Sequence, residues 1–284
     1  MIRKIISIVL LIILMLNTYV FAIEITSNND IFVNGEFIYD KDIAEKIAQK
    51  EAVAKEYYKA KINGDSSKLL SSYNNLKSFY TTKSNLKIDN NSSFSTNGRL
   101  NISQVPQQRD YWCGYAAIKS LLDYEGIVKT QTKIAQEVNN VDDACPWYTT
   151  NGLAFANFPA AVYLENTIGV YYVPYPYGAA GSVNVTAYDV NWRVVATIDA
   201  GHGLISCGHS RGDSAGHNSI LPGYPSYFVG HWIGIDGYEY NGDKIWIVDP
   251  AKSSVIPFAN SIQAYYPISS TKLASYCQPR GLIW

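Results

Sequence analysis

The sequence has almost no net charge and contains no run of basic residues. Its 23 Lys and Arg residues are balanced by 24 Asp and Glu residues, which gives a formal net charge of -1. Proteins that bind nucleic acid use clustered positive charge to neutralise phosphates. We therefore expect no nucleic-acid partner. Internal repeats and heptads are also absent, so we expect neither a solenoid nor a coiled coil.

Long hydrophobic runs are absent after residue 22, and the run before it is short. The chain begins with Arg3 and Lys4, is almost wholly apolar over residues 5–16, and has Val20 and Ala22 at the -3 and -1 positions of a possible cleavage site. This layout is typical of a secretory signal peptide. The alternative is an uncleaved anchor, but the apolar core is short for a full span. We expect a signal peptide over residues 1–22 and a secreted, extracellular protein without stable membrane association.

Residues 23–102 differ in pattern from the rest of the chain. Apolar spacing predicts an amphipathic helix over residues 43–62 and a second helix over residues 67–80. Residues 85–101 are rich in Asn and Ser, which is typical of a linker. A helical segment between a signal peptide and an enzyme is either a prosegment that is removed or a subdomain that stays attached. The pattern leaves both alternatives open.

Residues 103–284 are expected to form the main domain. Helical periodicity predicts helices over residues 113–124, 130–138, 159–164 and 188–200. Alternating patterns rich in Ile, Val, Trp and Tyr then predict strands over residues 203–206, 231–240 and 244–248. Helices followed by strands indicate an α+β domain in which the two are segregated. Gly126 is expected to end the first helix in a left-handed conformation.

Gln107 lies six residues before Cys113, and Cys113 begins an apolar, helix-forming run. A thiol at the start of a helix lies at the positive end of the helix dipole, which favours the thiolate. A side-chain amide that folds back beside the sulfur can donate a hydrogen bond to a developing oxyanion. The pair therefore supplies two parts of an acyl-transfer site, a nucleophile and an oxyanion donor.

Four cysteines in an exported protein also permit a disulfide framework. They are Cys113, Cys145, Cys207 and Cys277. Two bridges would use all four, whereas a free nucleophile at Cys113 leaves at least one of the others unpaired. The residues around Cys113 favour the nucleophile, and the pairing among the other three stays open.

A base for this thiol is predicted at the open end of a β-hairpin. His231 begins one strand, Asp249 follows the next, and Asn241-Gly242 between them is a strong turn signal. A two-residue loop would place His231 and Asp249 on opposite faces, whereas a three-residue loop would place them on one face. If they cooperate, we expect the odd-length loop or an equivalent bulge. Asp249 would then bind one ring nitrogen and leave the other facing Cys113.

Both residues also have a purely structural alternative. Asp249 precedes a proline, where an aspartate commonly stabilises a turn. His231 could be a strand-end histidine that bonds only to the backbone. Each alternative is reasonable alone, but both together, beside the glutamine–cysteine pattern, are much less so.

Potential metal ligands crowd into the stretch before the predicted hairpin. They are His202, Cys207, His209, Asp213 and His217. Their spacing matches no compact zinc pattern, so we expect neither a metal nor another cofactor. The Gly- and Ser-rich part of residues 201–230 could cover a substrate groove, which is a hypothesis.

Together these motifs resemble the papain-like cysteine peptidases of the bacteriocin-leader (double-glycine) type. The resemblance is closer to their secreted stand-alone relatives, the peptidase C-thirty-nine-like proteins. It rests on Val-Pro-Gln before Cys-Gly, on Gly-His-Trp-Ile-Gly-Ile-Asp-Gly-Tyr and on Val-Asp-Pro, and it covers roughly residues 103–257. It implies a papain-like α+β fold, in which a helical lobe carrying the cysteine packs against an antiparallel sheet lobe carrying the histidine and aspartate.

The resemblance also implies a role for each site residue. Cys113 would be the nucleophile, His231 the base and Asp249 the group that orients it. Gln107 would donate to the oxyanion together with the backbone N–H of Cys113, and Gln108 is the rival for that role. The substrate would be a protein or peptide, cleaved at a position that the sequence does not reveal.

The sequence departs from the leader peptidases in carrying no transporter and in its expected export, so their double-glycine substrate is not carried over. The same residues could serve a deamidase or an acyltransferase, and the domain could instead be a catalytically silent binding module. The intact set of four site residues favours a cysteine peptidase. The oligomeric state stays open.

Overall fold

The computed structural model describes residues 24–25, 30–33, 36–80, 95–148, 157–177, 184–212 and 219–284. The predicted signal peptide and residues 85–94 of the predicted linker lie outside these ranges. Within them the helices are α1 (Lys41–Ile62), α2 (Ser66–Lys77), α3 (Cys113–Tyr124), α4 (Gln131–Val138), α5 (Pro159–Ile168), α6 (Ala187–Asp199) and α7 (Ser270–Cys277). Short 3-10 turns cover Tyr240–Gly242 and Ala259–Ser261.

The strands of the described residues form two sheets. They are β1 (Glu24–Ile25), β2 (Asp30–Val33), β3 (Glu36–Asp40), β4 (Gly98–Arg99), β5 (Pro174–Tyr175), β6 (Leu204–Ser210), β7 (Val229–Glu239), β8 (Lys244–Val248), β9 (Tyr265–Ser269) and β10 (Gly281–Ile283). The larger sheet has the order β5-β10-β6-β7-β8-β9, with β4 paired to β7, and its strands are antiparallel. The expected α+β class is confirmed.

Local sequence signals account for the helix ends. Gly126, two residues after α3, has a φ of 75°, as expected for a residue that leaves a helix in the left-handed region. Thr130 caps α4 by accepting a hydrogen bond from the backbone N–H of Lys133. Thr186 and Asp189 form a reciprocal capping box at the start of α6. These signals fix where α3 ends and where α4 and α6 begin.

The N-terminal region contains more than the predicted helices. Strands β1, β2 and β3 form a small antiparallel sheet before α1, which the sequence pattern did not predict. Helices α1 and α2 pack on each other, and α1 packs on α6. Buried Ala54, Tyr73 and Leu76 belong to the same hydrophobic core as the larger sheet. The helical pair is therefore built into the core of the main domain.

None of the helices in the described part of the chain is both long and apolar enough to cross a lipid bilayer.

Candidate active site

A bulge in the β7–β8 hairpin brings His231 and Asp249 to one face. Glu239 pairs with Lys244, so four residues (240–243) form the turn, and the predicted three-residue loop is wrong. An even loop alone would leave His231 and Asp249 on opposite faces. The register shifts by one residue between Ile235 and Gly237. Because side chains alternate between the two faces of a strand, this shift returns His231 and Asp249 to the same face. The alternative expectation, an equivalent bulge, is confirmed.

His231 bridges Asp249 and Cys113. Its Nε2 atom lies 2.9 Å from Oδ1 of Asp249, and both side chains are buried. The imidazole also interacts with the Cys113 side chain through a hydrogen bond, which raises its pKa. Because Nε2 faces Asp249, the nitrogen that meets the thiol is Nδ1. A thiol, an imidazole and a carboxylate are thus arranged in series.

The Asp249 carboxylate has an unusually complete set of donors. Its Oδ1 atom accepts the backbone N–H of Ala251 at 2.9 Å, which is the turn geometry expected of an aspartate before proline. Tyr224 donates its hydroxyl at 3.0 Å and Tyr266 donates at 2.5 Å to Oδ2. The geometry of Asp249 therefore fits both the structural and the His-orienting interpretation. Fixed donors keep the carboxylate from rotating away from His231.

The electrostatics favour a protonated His231. Burial alone would lower its pKa, but the charges of Asp249 and Cys113 and the hydrogen bonds to both outweigh burial and raise the pKa to about 10. Tyr224 and Tyr266 stay protonated donors because burial and the charge of Asp249 raise their pKa values well above the usual range. An imidazolium at neutral pH is the partner that a thiolate requires.

Helix α3 begins at Cys113 without a side-chain cap. Trp112 occupies the N-cap position and makes no side-chain hydrogen bond to the helix. The first-turn N–H groups, including that of Cys113, have no intrahelical acceptor and are available to an anion. Gly114 allows the close approach, because a Cβ there would lie 2.4 Å from Cβ of Cys145 and 3.0 Å from Cδ1 of Trp232. The Cys-Gly pair is thus a packing requirement as well as a motif.

Gln107 and Gln108 occupy different environments. Gln107 is buried and lines the same cleft as Cys113 and His231, whereas Gln108 is exposed and lies outside that lining. The Gln107 amide donates to the carbonyls of Arg109 and Asp110 at 2.8 and 2.9 Å, and its Oε1 atom has no partner. One of these two bonds would have to be exchanged for a bond to an oxyanion.

The backbone fixes Gln107 relative to Asp249. The N–H of Gln107 donates to the carbonyl of Pro250 at 3.0 Å, and Ser253 Oγ donates to the carbonyl of Gln107 at 2.6 Å. Gln104 Nε2 donates to the carbonyl of Asp249 at 2.9 Å. The loop before α3 and the loop after β8 are therefore joined by several hydrogen bonds, although they lie far apart in sequence.

The cleft lies between the helical and sheet parts of the domain and has a volume of about 380 Å³. The helical side contributes the start of α3 and the loop around Cys145 to Trp147, and the sheet side contributes β6, β7 and the loop after β8. Helices α1 and α2 contribute no residue to its lining. The N-terminal helical pair therefore does not block access to Cys113.

All four cysteines of the sequence lie in the described residues, and all four are free thiols. Burial raises the pKa of Cys145 and Cys207 well above the usual range, and it raises the pKa of Cys277 to about 12. These three thiols stay protonated at neutral pH. Among the four, Cys113 is the one in contact with an imidazolium.

Sequence reasoning missed the tyrosines that surround this site. Tyr224 comes from the stretch 201–230, and its ring also packs on His231 with centroids 5.5 Å apart. Tyr276 in α7 donates its hydroxyl to the backbone carbonyl of His231 at 2.5 Å. The one signal in the sequence was the high tyrosine content, 23 residues. A count does not indicate which tyrosines contact the site. The stretch 201–230 thus supports the carboxylate in addition to bordering the cleft.

The crowded His and Cys residues before the hairpin do not converge. Within the described part of the chain, no three His, Cys, Asp or Glu side chains lie close enough together to hold a metal ion. His202 instead bonds Glu125 through Nδ1 at 2.7 Å, away from the cleft lining. Asp213 and His217 lie outside the described residues.

A thiol, an imidazole and a buried carboxylate in series beside a helix N-terminus are the groups of a cysteine hydrolase. A sequence model of the Peptidase_C39 like family matches residues 99–273, more than half of the chain. The chain belongs to this family and is a cysteine peptidase by that membership. The resemblance inferred from the motifs is confirmed.

The chain is also similar to a solved structure, that of xylellain, a cysteine protease from Xylella fastidiosa. The identity is 14%, the match covers 66% of this chain and 85% of that chain, and the TM-score is 0.33. The curated proteins contain no match.

Proposed function

We propose that this cysteine peptidase hydrolyses peptide bonds through Cys113, His231 and Asp249, with Gln107 and the backbone N–H of Cys113 as oxyanion donors. The observation that carries the proposal is the position of His231. Its ring is bonded on one side to the buried Asp249 carboxylate and on the other to the Cys113 thiol in an open cleft. A purely structural histidine needs no such thiol partner.

The proposed reaction has two halves. The Cys113 thiolate attacks the scissile carbonyl carbon, a C–S bond forms, and the carbonyl electron pair moves to the oxyanion. The oxyanion collapses, the C–N bond breaks, and His231 gives the Nδ1 proton to the leaving amine. Water then gives a proton to His231 and attacks the thioester, which releases the carboxylic acid and restores the thiolate.

The positions of two N–H groups support the choice of oxyanion donors. The N–H of Cys113 is in the uncapped first turn of α3. The Gln107 amide lines the cleft, and exchange of its bond to the Asp110 carbonyl for a bond to the oxyanion would complete the pair. Exposure of Gln108 outside the cleft supports Gln107 over its rival.

The decisive experiment compares Cys113→Ala with Cys277→Ala. Turnover of a casein or mixed-peptide substrate and labelling by iodoacetamide should be lost in Cys113→Ala, with an unchanged circular dichroism spectrum. Cys277→Ala removes a more deeply buried thiol outside the cleft and should keep both properties. Retained turnover in Cys113→Ala would overturn the proposal, and labelling without any turnover would favour the silent binding module.

We further propose that the protein is exported, loses residues 1–22 and keeps the helices α1 and α2. Export is supported by the pattern of residues 1–22, and retention of the helices by their buried contacts with the core. Intact-mass analysis of the protein recovered from the producing cells tests both parts. The expected chain starts after Ala22, whereas a chain that starts between residues 81 and 102 would identify the helices as a removed prosegment.

A further inference from the structure

Arg280 brings a positive charge into the candidate active site. It lies in the turn between α7 and β10, where its backbone N–H donates to the carbonyl of Cys277 at 3.0 Å. Its half-buried side chain lines the cleft that contains Cys113 and His231. Sequence reasoning gave no role to this residue.

No carboxylate of the described residues lies within ion-pair distance of the Arg280 guanidinium. The group donates one hydrogen bond, at 2.9 Å, to the carbonyl of Pro279, and it lies 5.7 Å from the ring centroid of Tyr148. A guanidinium has five N–H donors, arranged to bind a carboxylate through two parallel hydrogen bonds. Arg280 therefore has donors left for a ligand in the cleft.

Among the described residues that line the cleft, Arg280 is the one Arg or Lys. Burial, and then the charges of Arg280 and Arg211, lower the pKa of His209, so His209 is neutral at neutral pH. Arg280 also opposes the burial-driven rise in the pKa of Cys207, so its field reaches the cleft wall. A carboxylate bound here would meet positive charge and no competing acid.

Asp110, in the loop before α3, lines the same cleft, and no cation of the described residues forms an ion pair with it. A substrate carboxylate would be repelled by Asp110 and attracted by Arg280. Arg280 and Cys113 line the same cleft, so a group bound by Arg280 lies near the scissile bond of a substrate that is attacked by Cys113.

We propose that Arg280 determines specificity by binding a peptide carboxylate near the scissile bond. The carboxylate belongs either to an Asp or Glu side chain or to the C-terminus of the substrate. This inference rests on the proposed peptidase activity of Cys113. Arg280 acts in substrate binding and takes no part in the chemical step, so its loss should change KM more than kcat.

The test is cleavage of a mixed peptide pool, read by mass spectrometry, with wild type, Arg280→Gln and Arg280→Glu. Wild type should prefer peptides with Asp, Glu or a free C-terminus near the cleaved bond, and C-terminal amidation separates the two sources of carboxylate. For a matched Glu and Gln peptide pair, Arg280→Gln should lower kcat/KM on the Glu peptide on the order of ten- to hundredfold, mainly through KM. It should leave the Gln peptide unchanged, and Arg280→Glu should favour the corresponding Lys peptide.

Lys129→Gln is the matched control, because it removes the same charge from an ion pair with Glu137 outside the cleft. It should keep the wild-type preference. Cleavage by wild type without a preference for either kind of carboxylate, or a wild-type preference that Arg280→Gln leaves unchanged, would overturn the role of Arg280 alone. A wild type that neither cleaves peptides nor is labelled at Cys113 would overturn this inference together with the proposed function.

Discussion

Two aspartates, one fully buried and one partly exposed, accept hydrogen bonds from tyrosines at different places in the molecule. Buried Asp249 accepts hydrogen bonds from Tyr224 and Tyr266 at the cleft. Partly exposed Asp199, at the end of α6, accepts hydroxyl hydrogen bonds at 2.7 Å from Tyr57 of α1 and from Tyr238 of β7. In both cases tyrosine hydroxyls take the place of water that the carboxylate loses on folding.

The two carboxylates differ in the cation that each one meets. Asp249 faces the imidazole of His231, whose other side meets a thiol in an open cleft. Asp199 binds Lys61 at 2.8 Å, and none of its partners lines the cleft. The imidazole of His231 has a second ring nitrogen that is left for a thiol in the cleft, whereas Lys61 joins helix α1 to helix α6. The same kind of network thus orients a candidate catalytic histidine at one place and fixes the helical pair α1–α2 at the other.

Further buried contacts join helix α1 to the core, in addition to the hydrogen bonds of Asp199. Lys50 of α1 is fully buried and donates to the carbonyls of Tyr171 and Trp284 at 2.6 and 2.8 Å. Burial lowers the pKa of Lys50 well below its usual value, so these bonds offset a cost of desolvation. Arg193 of α6 pairs with Glu51 of α1. Removing the helical pair would leave these groups without partners, which supports its retention in the mature protein.

The largest expected effect is the loss of activity in Asp249→Asn. An amide oxygen can still accept the Nε2–H hydrogen bond of His231, but it lacks the negative charge that stabilises the imidazolium, so kcat should fall by about 10²-fold. The measurement is turnover at saturating substrate, with thermal unfolding as the check on the fold. A loss of kcat of less than tenfold in a folded variant would argue that Asp249 mainly stabilises the turn that begins at this residue.

The matched substitution Asp199→Asn should have the opposite profile. It leaves Lys61 with a buried, unpaired charge, and loss of one partner of such a pair costs about 3 kcal/mol of the free energy of unfolding. Turnover per folded molecule should stay close to wild type, because no partner of Asp199 lines the cleft. Chemical denaturation and active-site titration measure the two quantities. A stable but inactive Asp199→Asn variant would contradict the assignment of the Asp199 network to the fold and of the Asp249 network to activity.

A pH titration should separate the networks further. The charge of Asp249 is a leading reason that the pKa of His231 rises to about 10, against the burial that lowers it. The stability that this proton contributes is fully present below the ordinary histidine pKa and is lost as pH rises through about 10. In Asp249→Asn the titration midpoint of His231, followed by NMR of its ring protons, should move to lower pH. Asp199→Asn should leave the midpoint unchanged, and an equal midpoint in all three proteins would contradict the assigned ion pair.

Local signals in the sequence pointed to the groups of the candidate site, whereas no signal pointed to the residues that support them. Gln107 and Cys113 belong to one helix start, and His231 and Asp249 belong to one hairpin, so short-range rules place each pair. The four-residue turn was missed because an Asn-Gly signal does not fix loop length. A bulge compensates for it, since only one parity lets His231 reach Asp249.

The tyrosine donors were missed for a different reason. Tyr224, Tyr266 and Tyr276 come from a loop, from β9 and from α7, and they converge only in the folded chain. Neither spacing nor periodicity relates them to Asp249 or His231. The same holds for Arg280, whose place in the cleft depends on β10 crossing between β5 and β6. Such contacts depend on long-range packing, which cannot be inferred from the neighbouring residues of a single sequence.

The smallest expected effects come from removing one hydroxyl from each network. Tyr57→Phe and Tyr266→Phe make the same chemical change, and both rings are buried. Each loses one hydrogen bond to a buried carboxylate, so each should lower the free energy of unfolding by about 1–2 kcal/mol. Only Tyr266→Phe should also lower kcat, by about tenfold, because the Asp249 carboxylate loses a donor that holds it against His231. Denaturant unfolding and turnover on the same samples test the pair, and an equal kcat in the two variants would show that the Tyr266 hydroxyl supports the fold alone.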